Sequence, residues 1–94
     1  MKIVINACFG GFELPTEFCT IYGLDKYDDI DRADTRLVEF LESYFTATGE
    51  ESYSGRFSEL VIEEIPDIST DWHINEYDGA ESIIYVVDGK LHWA

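Results

Sequence analysis

The sequence predicts an α+β domain in which two short helices cover one face of a largely antiparallel sheet of about five strands, in the order β-α-α-β-β-β-β. Three observations predict this class. Residues 1–9 and the C-terminal third are rich in β-branched residues, two stretches between them have helical apolar spacing with capping residues, and Asp88-Gly89 is a strong hairpin signal. Ninety-four residues are enough for a single domain, 1–94, with a modest core.

The first half of the chain is predicted to form one strand and two helices. The strand is "MKIVINACF", which ends at Gly10-Gly11. A helix of barely two turns follows from Pro15 or Thr16 and ends before Gly23, which suits a C′ position. Asp34 is placed to cap a second helix, "TRLVEFLESYF". Its apolar stripe consists of Leu37, Val38, Leu41, Tyr44 and Phe45.

The second half is predicted to be a loop followed by strands. "TATGEESYSG" is a loop by composition, and "RFSELVIEEI", "DWHINEY", "SIIYVV" and "KLHW" are strands. Asp88-Gly89 joins the last two strands as a hairpin. Pro66 to Thr70 is predicted to turn between two neighbouring strands, which would bring the acids on either side of the turn together. All six phenylalanines are predicted to lie in the core.

Charge is the strongest functional signal. The chain has 20 acidic and 6 basic residues and a net charge of −14, so an electrostatically steered partner is expected to be basic. Residues 63–81 hold seven carboxylates and no lysine or arginine. An acidic strand surface of this kind is able to occupy a basic groove that normally holds nucleic acid. The alternative, a solvated sheet face that only keeps the domain soluble, stays open.

We expect a partner to be held by carboxylates that steer it and by aromatic rings that anchor it. Trp72 and Tyr77 are the anchors if they are exposed. The predicted main contact set is Glu63, Glu64, Asp67, Asp71, Trp72, Glu76, Tyr77, Asp78 and Glu81, and the second acidic patch is Asp28, Asp29 and Asp31.

The spacing gives little support to catalytic or metal chemistry. Cys8 and Cys19 lie in no C-x-x-C motif, so reduced structural thiols are expected in an intracellular protein. The acids of residues 25–34 do not have the spacing of an EF-hand, and Gly10-Gly11 lacks the third glycine and the lysine of phosphate-binding loops. No enzyme activity, cofactor or metal is predicted. The longest apolar run, Ile83 to Val87, is too short for a membrane span, which favours the cytoplasm.

Two stretches resemble a widespread group of small phage and prophage proteins. "MKIVINACFGGFELPTEF" is similar to their opening M-K-I-V-I-N-x-C-[FY]-G-G-F-x-L-[ST]. "GRFSELVIEEIPDISTDWHINEYDGAESI" is similar to their G-R-[FY]-x-x-L-x-[IV]-x-E-I-P-D followed by W-x-I-x-E-Y-D-G. The chain departs from the group between Cys19 and Ile30, which is longer and more acidic, and in its tail, where a strand pair replaces a helix-like segment. The resemblance implies a phage context and carries over no activity and no catalytic residues.

A phage context favours an inhibitor, because small acidic phage proteins without enzyme motifs often bind and block host proteins. We therefore expect a non-enzymatic anti-CRISPR protein of the host cytoplasm. Its partner would be the basic nucleic-acid-binding surface of a Cas effector, which it blocks by charge mimicry of DNA, without binding nucleic acid or a membrane itself.

Two alternatives stay open. The first is a binder of a small ligand such as a nucleotide signal at Gly10-Gly11, which requires several of the six basic residues to converge there. The second is an accessory phage protein that self-associates through an exposed "IIYVV" strand edge.

Overall fold

Six strands and two helices make up the protein in a computed structural model that describes residues 1–94. The elements are β1 (Lys2–Asn6), α1 (Thr16–Tyr22), α2 (Thr35–Thr48), β2 (Tyr53–Ser54), β3 (Glu59–Glu64), β4 (Asp71–Tyr77), β5 (Ala80–Val87) and β6 (Lys90–Trp93). The α+β class is confirmed. The single sheet of about five strands is wrong, because the strands form two antiparallel three-stranded sheets. The first sheet has the order β1-β3-β2 and the second sheet the order β4-β5-β6.

Both helices lie on one face of the first sheet. The Asp34 side chain accepts a hydrogen bond from the Arg36 backbone N–H and caps α2, as predicted. The helix continues past the predicted Phe45 to Thr48 and ends at Gly49, which has a φ of 74°. The face of the sheet that meets the helices contributes Val4 and Leu60, and the helices contribute Phe18, Cys19, Leu37, Val38 and Leu41.

Strand β1 is buried on both of its faces. Val4 points toward the helices, while Ile3 and Ile5 point toward the second sheet and pack with Ile65 and Ile83. Each fully buried side chain of this size contributes about 1.5–3 kcal/mol relative to leaving it exposed. The helices, the first sheet and the second sheet are therefore three successive layers with β1 at their centre.

Residues 65–70 carry the chain from the first sheet to the second. Strand β3 pairs with β1 and β2, whereas β4 pairs with β5 alone. The prediction that Pro66 to Thr70 turns between neighbouring strands is therefore wrong, and Glu63 and Glu64 do not lie beside the acids of β4. The alternation of apolar and polar residues shows that a strand has one buried face, but it fits two packed sheets as well as one sheet.

Two other predictions are also wrong. The "IIYVV" segment lies in β5, the central strand of the second sheet, so both of its edges are paired. Phe9 and Phe57 are 78% and 58% exposed because each lies in a tight loop, next to Gly10 and to Arg56 respectively. The other phenylalanines belong to the core under the helices: Phe12, Phe18, Phe40 and Phe45.

The hairpin at Asp88-Gly89 is confirmed, and Asp78-Gly79 forms a second one of the same kind. The aspartates have φ angles of 53° and 51°, and the glycines 74° and 89°. Positive φ at both central residues matches the twist of the flanking strands. Two tight turns therefore fix the register of the whole second sheet.

Candidate protein-binding surface

Glu81 is held inside the protein. Its carboxylate accepts two hydrogen bonds from the Arg32 guanidinium, at 2.7 and 2.9 Å, and a third from the Asn6 backbone N–H at 2.7 Å. The Glu81 side chain is 7% exposed. The Arg32 carbonyl accepts a hydrogen bond from the Val4 N–H, so the pair also covers the free edge of β1. Glu81 therefore stabilises the fold, and its carboxylate is too deeply buried to contact a partner.

Asn6 ties the second sheet to the end of β1. Its fully buried amide nitrogen donates to the carbonyls of Cys8 at 3.0 Å and Gly79 at 2.7 Å, and its amide oxygen accepts from the Glu59 N–H at 2.8 Å. The two chain segments meet so closely that a Cβ on Gly79 would lie 1.9 Å from the Gly10 carbonyl oxygen. Only glycine fits at position 79, since its φ is also positive.

The Gly10-Gly11 turn has no free donor for an anion. The Gly10 N–H donates to the Cys8 carbonyl and the Gly11 N–H to the Phe57 carbonyl, both at 2.9 Å. A Cβ on Gly10 would lie 1.8 Å from the Phe57 carbonyl oxygen, so the glycine serves close packing. Four of the six basic residues already have an acidic partner, including Arg32, which lies over the Phe12 ring beside this turn. Lys2, Lys26, Arg32 and Arg36 are paired with Glu42, Glu13, Glu81 and Asp34 respectively.

The seven acids of residues 63–81 do not form one surface. Glu63 and Glu64 project from opposite faces of the first sheet, because they pair with Ile3 and Lys2. Asp67 lies in the crossing segment and accepts a hydrogen bond from the N-terminal ammonium, which lowers the pKa of Asp67. Five of the seven have no cationic group within ion-pair distance: Glu63, Glu64, Asp71, Glu76 and Asp78.

The second acidic patch lies in the exposed connector between the helices. Asp28 accepts a hydrogen bond from the Asp25 N–H and Asp31 from the Ala33 N–H, both at 2.8 Å, so these carboxylates shape local turns. Asp29 is exposed beside them. Nowhere in the protein do three His, Cys, Asp or Glu side chains converge as the ligands of a metal ion would.

The second sheet has one covered face and one open face. Cross-strand partners share a face, and the register places Ile84 between His73 and Trp93, and Val86 between Asp71 and Leu91. We call this open side the outer face; it consists of Asp71, His73, Asn75, Tyr77, Ala80, Ser82, Ile84, Val86, Leu91 and Trp93. The opposite side packs toward β1 and includes Trp72, Ile74, Ile83 and Tyr85. The predicted anchor Trp72 is therefore half-buried in the core, whereas Tyr77 is 72% exposed.

The outer face has an apolar centre and an acidic rim. Leu91 and Trp93 are each 62% exposed, beside the half-buried Ile84 and Val86. We define the acidic rim as Asp71, Asp78 and Asp88, all exposed and none in an ion pair. Asp71 and Asp88 lie at one end of the sheet and Asp78 lies at the turn at the other end. An apolar, aromatic centre with a charged rim is typical of protein–protein interfaces.

Sequence reasoning missed part of this surface, namely Ile84, Val86, Leu91 and Asp88. A signal was available, because a two-residue hairpin at Asp88-Gly89 places Ile84 opposite Trp93 and Val86 opposite Leu91. The sequence did not indicate which side of that hairpin packs against another layer.

Comparison of the chain with protein-family models, with curated proteins and with solved structures finds no match. No helix combines the length and the apolar character needed to span a bilayer.

Proposed function

We propose that the protein is a non-enzymatic inhibitor that binds a basic surface of another protein through its outer face. One observation carries the proposal: the apolar centre of Ile84, Val86, Leu91 and Trp93, with the exposed Tyr77 at the far end of the same face, is bordered by unpaired carboxylates in a protein of net charge −14. Such a surface suits a partner whose own apolar patch is bordered by lysine and arginine. Contiguous exposed apolar area of this kind marks interaction sites more often than plain solvated faces.

The two parts of the surface have separate tasks. The acidic rim steers a basic partner and raises the association rate, an effect that falls as ionic strength rises. The apolar centre supplies the affinity, because aromatic side chains that become fully desolvated dominate interface energies. Glu76 is exposed at the same end of β4 as Asp78, but its side chain projects from the side opposite the outer face. The remaining predicted acids lie elsewhere on the protein and contribute through its long-range electrostatic field. They are Glu63, Glu64 and Asp67 and the connector acids Asp28, Asp29 and Asp31.

The partner is, in this proposal, a nucleic-acid-handling protein of the host, and more specifically a Cas effector. The protein would then be a phage-derived anti-CRISPR protein acting in the host cytoplasm. Two things support this narrower choice: the resemblance of the opening motif and of the E-Y-D-G stretch to small phage proteins, and the strong negative charge. The mechanism is steric. Carboxylates of the rim occupy lysines and arginines that would otherwise hold phosphate, so that DNA does not load.

A binding experiment with matched charge variants tests the proposal. Purified Cas effectors and host lysate are incubated with the immobilised protein, with and without competing duplex DNA. The rim variant replaces Asp71, Asp78 and Asp88 with lysine. The control variant replaces Glu39, Glu50 and Glu51 with lysine, which changes the net charge by the same amount. These three glutamates are exposed on α2 and on the loop after it.

The expected result is a partner that DNA displaces, that the rim variant loses and that the control variant retains. Equal loss in both variants would show that only the total charge matters. Retention by both would contradict the proposal.

A further inference from the structure

Strand β4 leaves one of its two edges without a hydrogen-bonding partner. Ile83 of β5 exchanges both of its backbone hydrogen bonds with Ala94, at 2.8 and 3.1 Å, so the even-numbered residues of β5 face β4. Their register partners on β4 are the odd-numbered residues from Asp71 to Tyr77. The backbone groups of Trp72, Ile74 and Glu76 therefore point away from the sheet.

Most of these outward groups are unpaired. The Trp72 N–H donates to the Asp71 carboxylate at 2.9 Å. The Trp72 carbonyl and the N–H and C=O groups of Ile74 and Glu76 have no partner in the protein. Strand β4 stands at the end of the strand order, and Asp71, His73, Asn75, Glu76 and Tyr77 are exposed. A row of free backbone groups of this kind is a template for an added strand.

The β4 edge differs from the other sheet edges of the protein. The edge of β1 is covered by the Arg32 backbone and the Glu81 carboxylate. Strand β3 offers only Ile62 and Glu64 beyond its short pairing with β2, and the four-residue β6 begins with a lysine. Strand β4 is the longest open edge, contains no lysine or arginine, and has acids at both ends: Asp71 at the start, and Glu76 and Asp78 at the finish.

We propose that β4 accepts an extended, lysine- or arginine-bearing segment of a partner protein, which adds to the second sheet as a fourth strand. This inference rests on the proposed function and specifies how part of the basic partner is held. The backbone of the segment pairs with Ile74 and Glu76, and its basic side chains form charge-assisted hydrogen bonds with the acids at the two ends.

A second copy of this chain is a poorer occupant of the same edge. Antiparallel pairing of two β4 strands about Ile74 would set Asp71 of one copy opposite Tyr77 of the other. Asp71 would then lie between the other copy's Glu76 and Asp78, at both ends of the pair and with no cation nearby. Like charges on directly neighbouring strands are destabilising. The acids thus select against self-pairing and in favour of a basic strand.

Amide hydrogen exchange of the full-length protein, followed by NMR, tests the inference with a defined probe. The probe is a blocked heptapeptide of alternating lysine and valine. Exchange at Ile74 and Glu76 is expected to slow by about tenfold or more, which corresponds to about 1.4 kcal/mol of stabilisation. The outward amides of Ile62, Glu64, Leu91 and Trp93 are internal controls and are expected to change little. A peptide N-methylated at alternate residues keeps the charge and is expected not to slow exchange at Ile74 and Glu76.

Two variants at one position separate backbone pairing from charge. Glu76→Pro removes an outward N–H that does not bond to β5, where proline is tolerated on an edge strand. Glu76→Gln removes the charge and keeps an acceptor for the Gly79 N–H. Proline is expected to weaken peptide binding about tenfold more than glutamine does. Inward amides at Asn75 and Tyr77 report whether each variant stays folded, and the N-methylated peptide decides the question if Glu76→Pro unfolds.

Failure of the peptide to bind overturns strand addition, as does protection that appears equally on the β3 and β6 edges. Binding of the unmethylated and N-methylated peptides with equal affinity overturns it too. The proposed function is judged separately by the rim variant, so a partner lost with the rim while Ile74 and Glu76 stay unprotected leaves that function standing and rejects the β4 edge.

Discussion

The two sheets of this protein use their faces in different ways. The first sheet lies between the helices and the second sheet, so β1 is buried on both faces. The second sheet covers one face against β1 and leaves Tyr77, Leu91 and Trp93 mostly exposed on the other. The closed edge of β1 and the open edge of β4 repeat the contrast. The first sheet therefore holds the structure together, and we propose that the second sheet presents the surface for recognition.

Two adjacent residues of β5 give the largest expected contrast. Ile83 is fully buried between the sheets, and Ile84 points to the outer face. We expect Ile83→Ala to lower the free energy of unfolding by about 2–5 kcal/mol, because it leaves a cavity. Ile84→Ala should cost less than about 1 kcal/mol. Urea unfolding of both variants measures the difference, and equal costs would mean that the outer face is not free.

The next effect concerns two glutamates that lie opposite each other on β4 and β5. Glu81 is buried and paired with Arg32, while Glu76 is exposed. We expect Glu81→Gln to destabilise the protein by about 1–3 kcal/mol, since Arg32 loses its counter-charge and the Asn6 N–H keeps only a weaker acceptor. Glu76→Gln should stay within about 0.5 kcal/mol. Thermal and urea unfolding at neutral pH check the pair.

A smaller effect is expected at the N-terminal cap of α2, the helix that packs on the first sheet. Hydrogen bonds from Arg36 hold the pKa of Asp34 below its ordinary value of 3.8. The folded state therefore binds this proton less readily than the unfolded state. The stabilisation that the Asp34 carboxylate supplies is complete above pH 3.8 and is lost as the pH falls through the lowered pKa of Asp34.

Two substitutions at Asp34 measure this contribution. Asp34→Ala should cost about 0.5–2 kcal/mol at pH 7 through loss of the cap. Asp34→Asn should keep the cap and flatten the stability profile at acid pH, below the ordinary Asp pKa of 3.8. Unfolding curves recorded across that range give both results, and an unchanged acid profile in Asp34→Asn would count against the assigned ion pair.

The smallest effect on stability is expected on the outer face itself. Trp93→Ser removes a large ring that is 62% exposed, so the free energy of unfolding should change by no more than about 0.5 kcal/mol. Differential scanning calorimetry measures the change. A loss of several kcal/mol would mean that Trp93 is part of the core and would remove it from the recognition surface.

Local signals in the sequence were sufficient to predict both helices, the Asp34 cap, the end of α1 at Gly23 and the Asp88-Gly89 hairpin, because a few adjacent residues determine each of them. The division into two sheets was not predictable in this way. Ile62 on β3 and Ile74 on β4 have similar alternating neighbours, although one packs under the helices and the other between the sheets. The membership of a strand depends on distant partners.

The same limit applies to individual side chains of the candidate surface. Glu81 and Asp78 have similar sequence surroundings in the acidic segment. Only Glu81 is buried, because Arg32, which is distant in the sequence, donates two hydrogen bonds to it. Trp72 and Trp93 are both tryptophans on strands, and only the position of the covering layer distinguishes them. The net charge predicted a basic partner, whereas the apolar centre emerged only once the outer face had been identified.

The central claim is that the outer face is the recognition surface, and one comparison of partner binding tests it most directly. The test variant replaces Tyr77, Leu91 and Trp93 with serine. The control variant replaces Phe9, Ile21 and Ile68 with serine. These three residues are also apolar and exposed, but they lie elsewhere on the protein. Neither variant changes the net charge. We predict that the test variant loses the partner that DNA displaces, while the control variant binds it like the unmodified protein. Retention of that partner by the test variant, or equal loss in both, would contradict the claim.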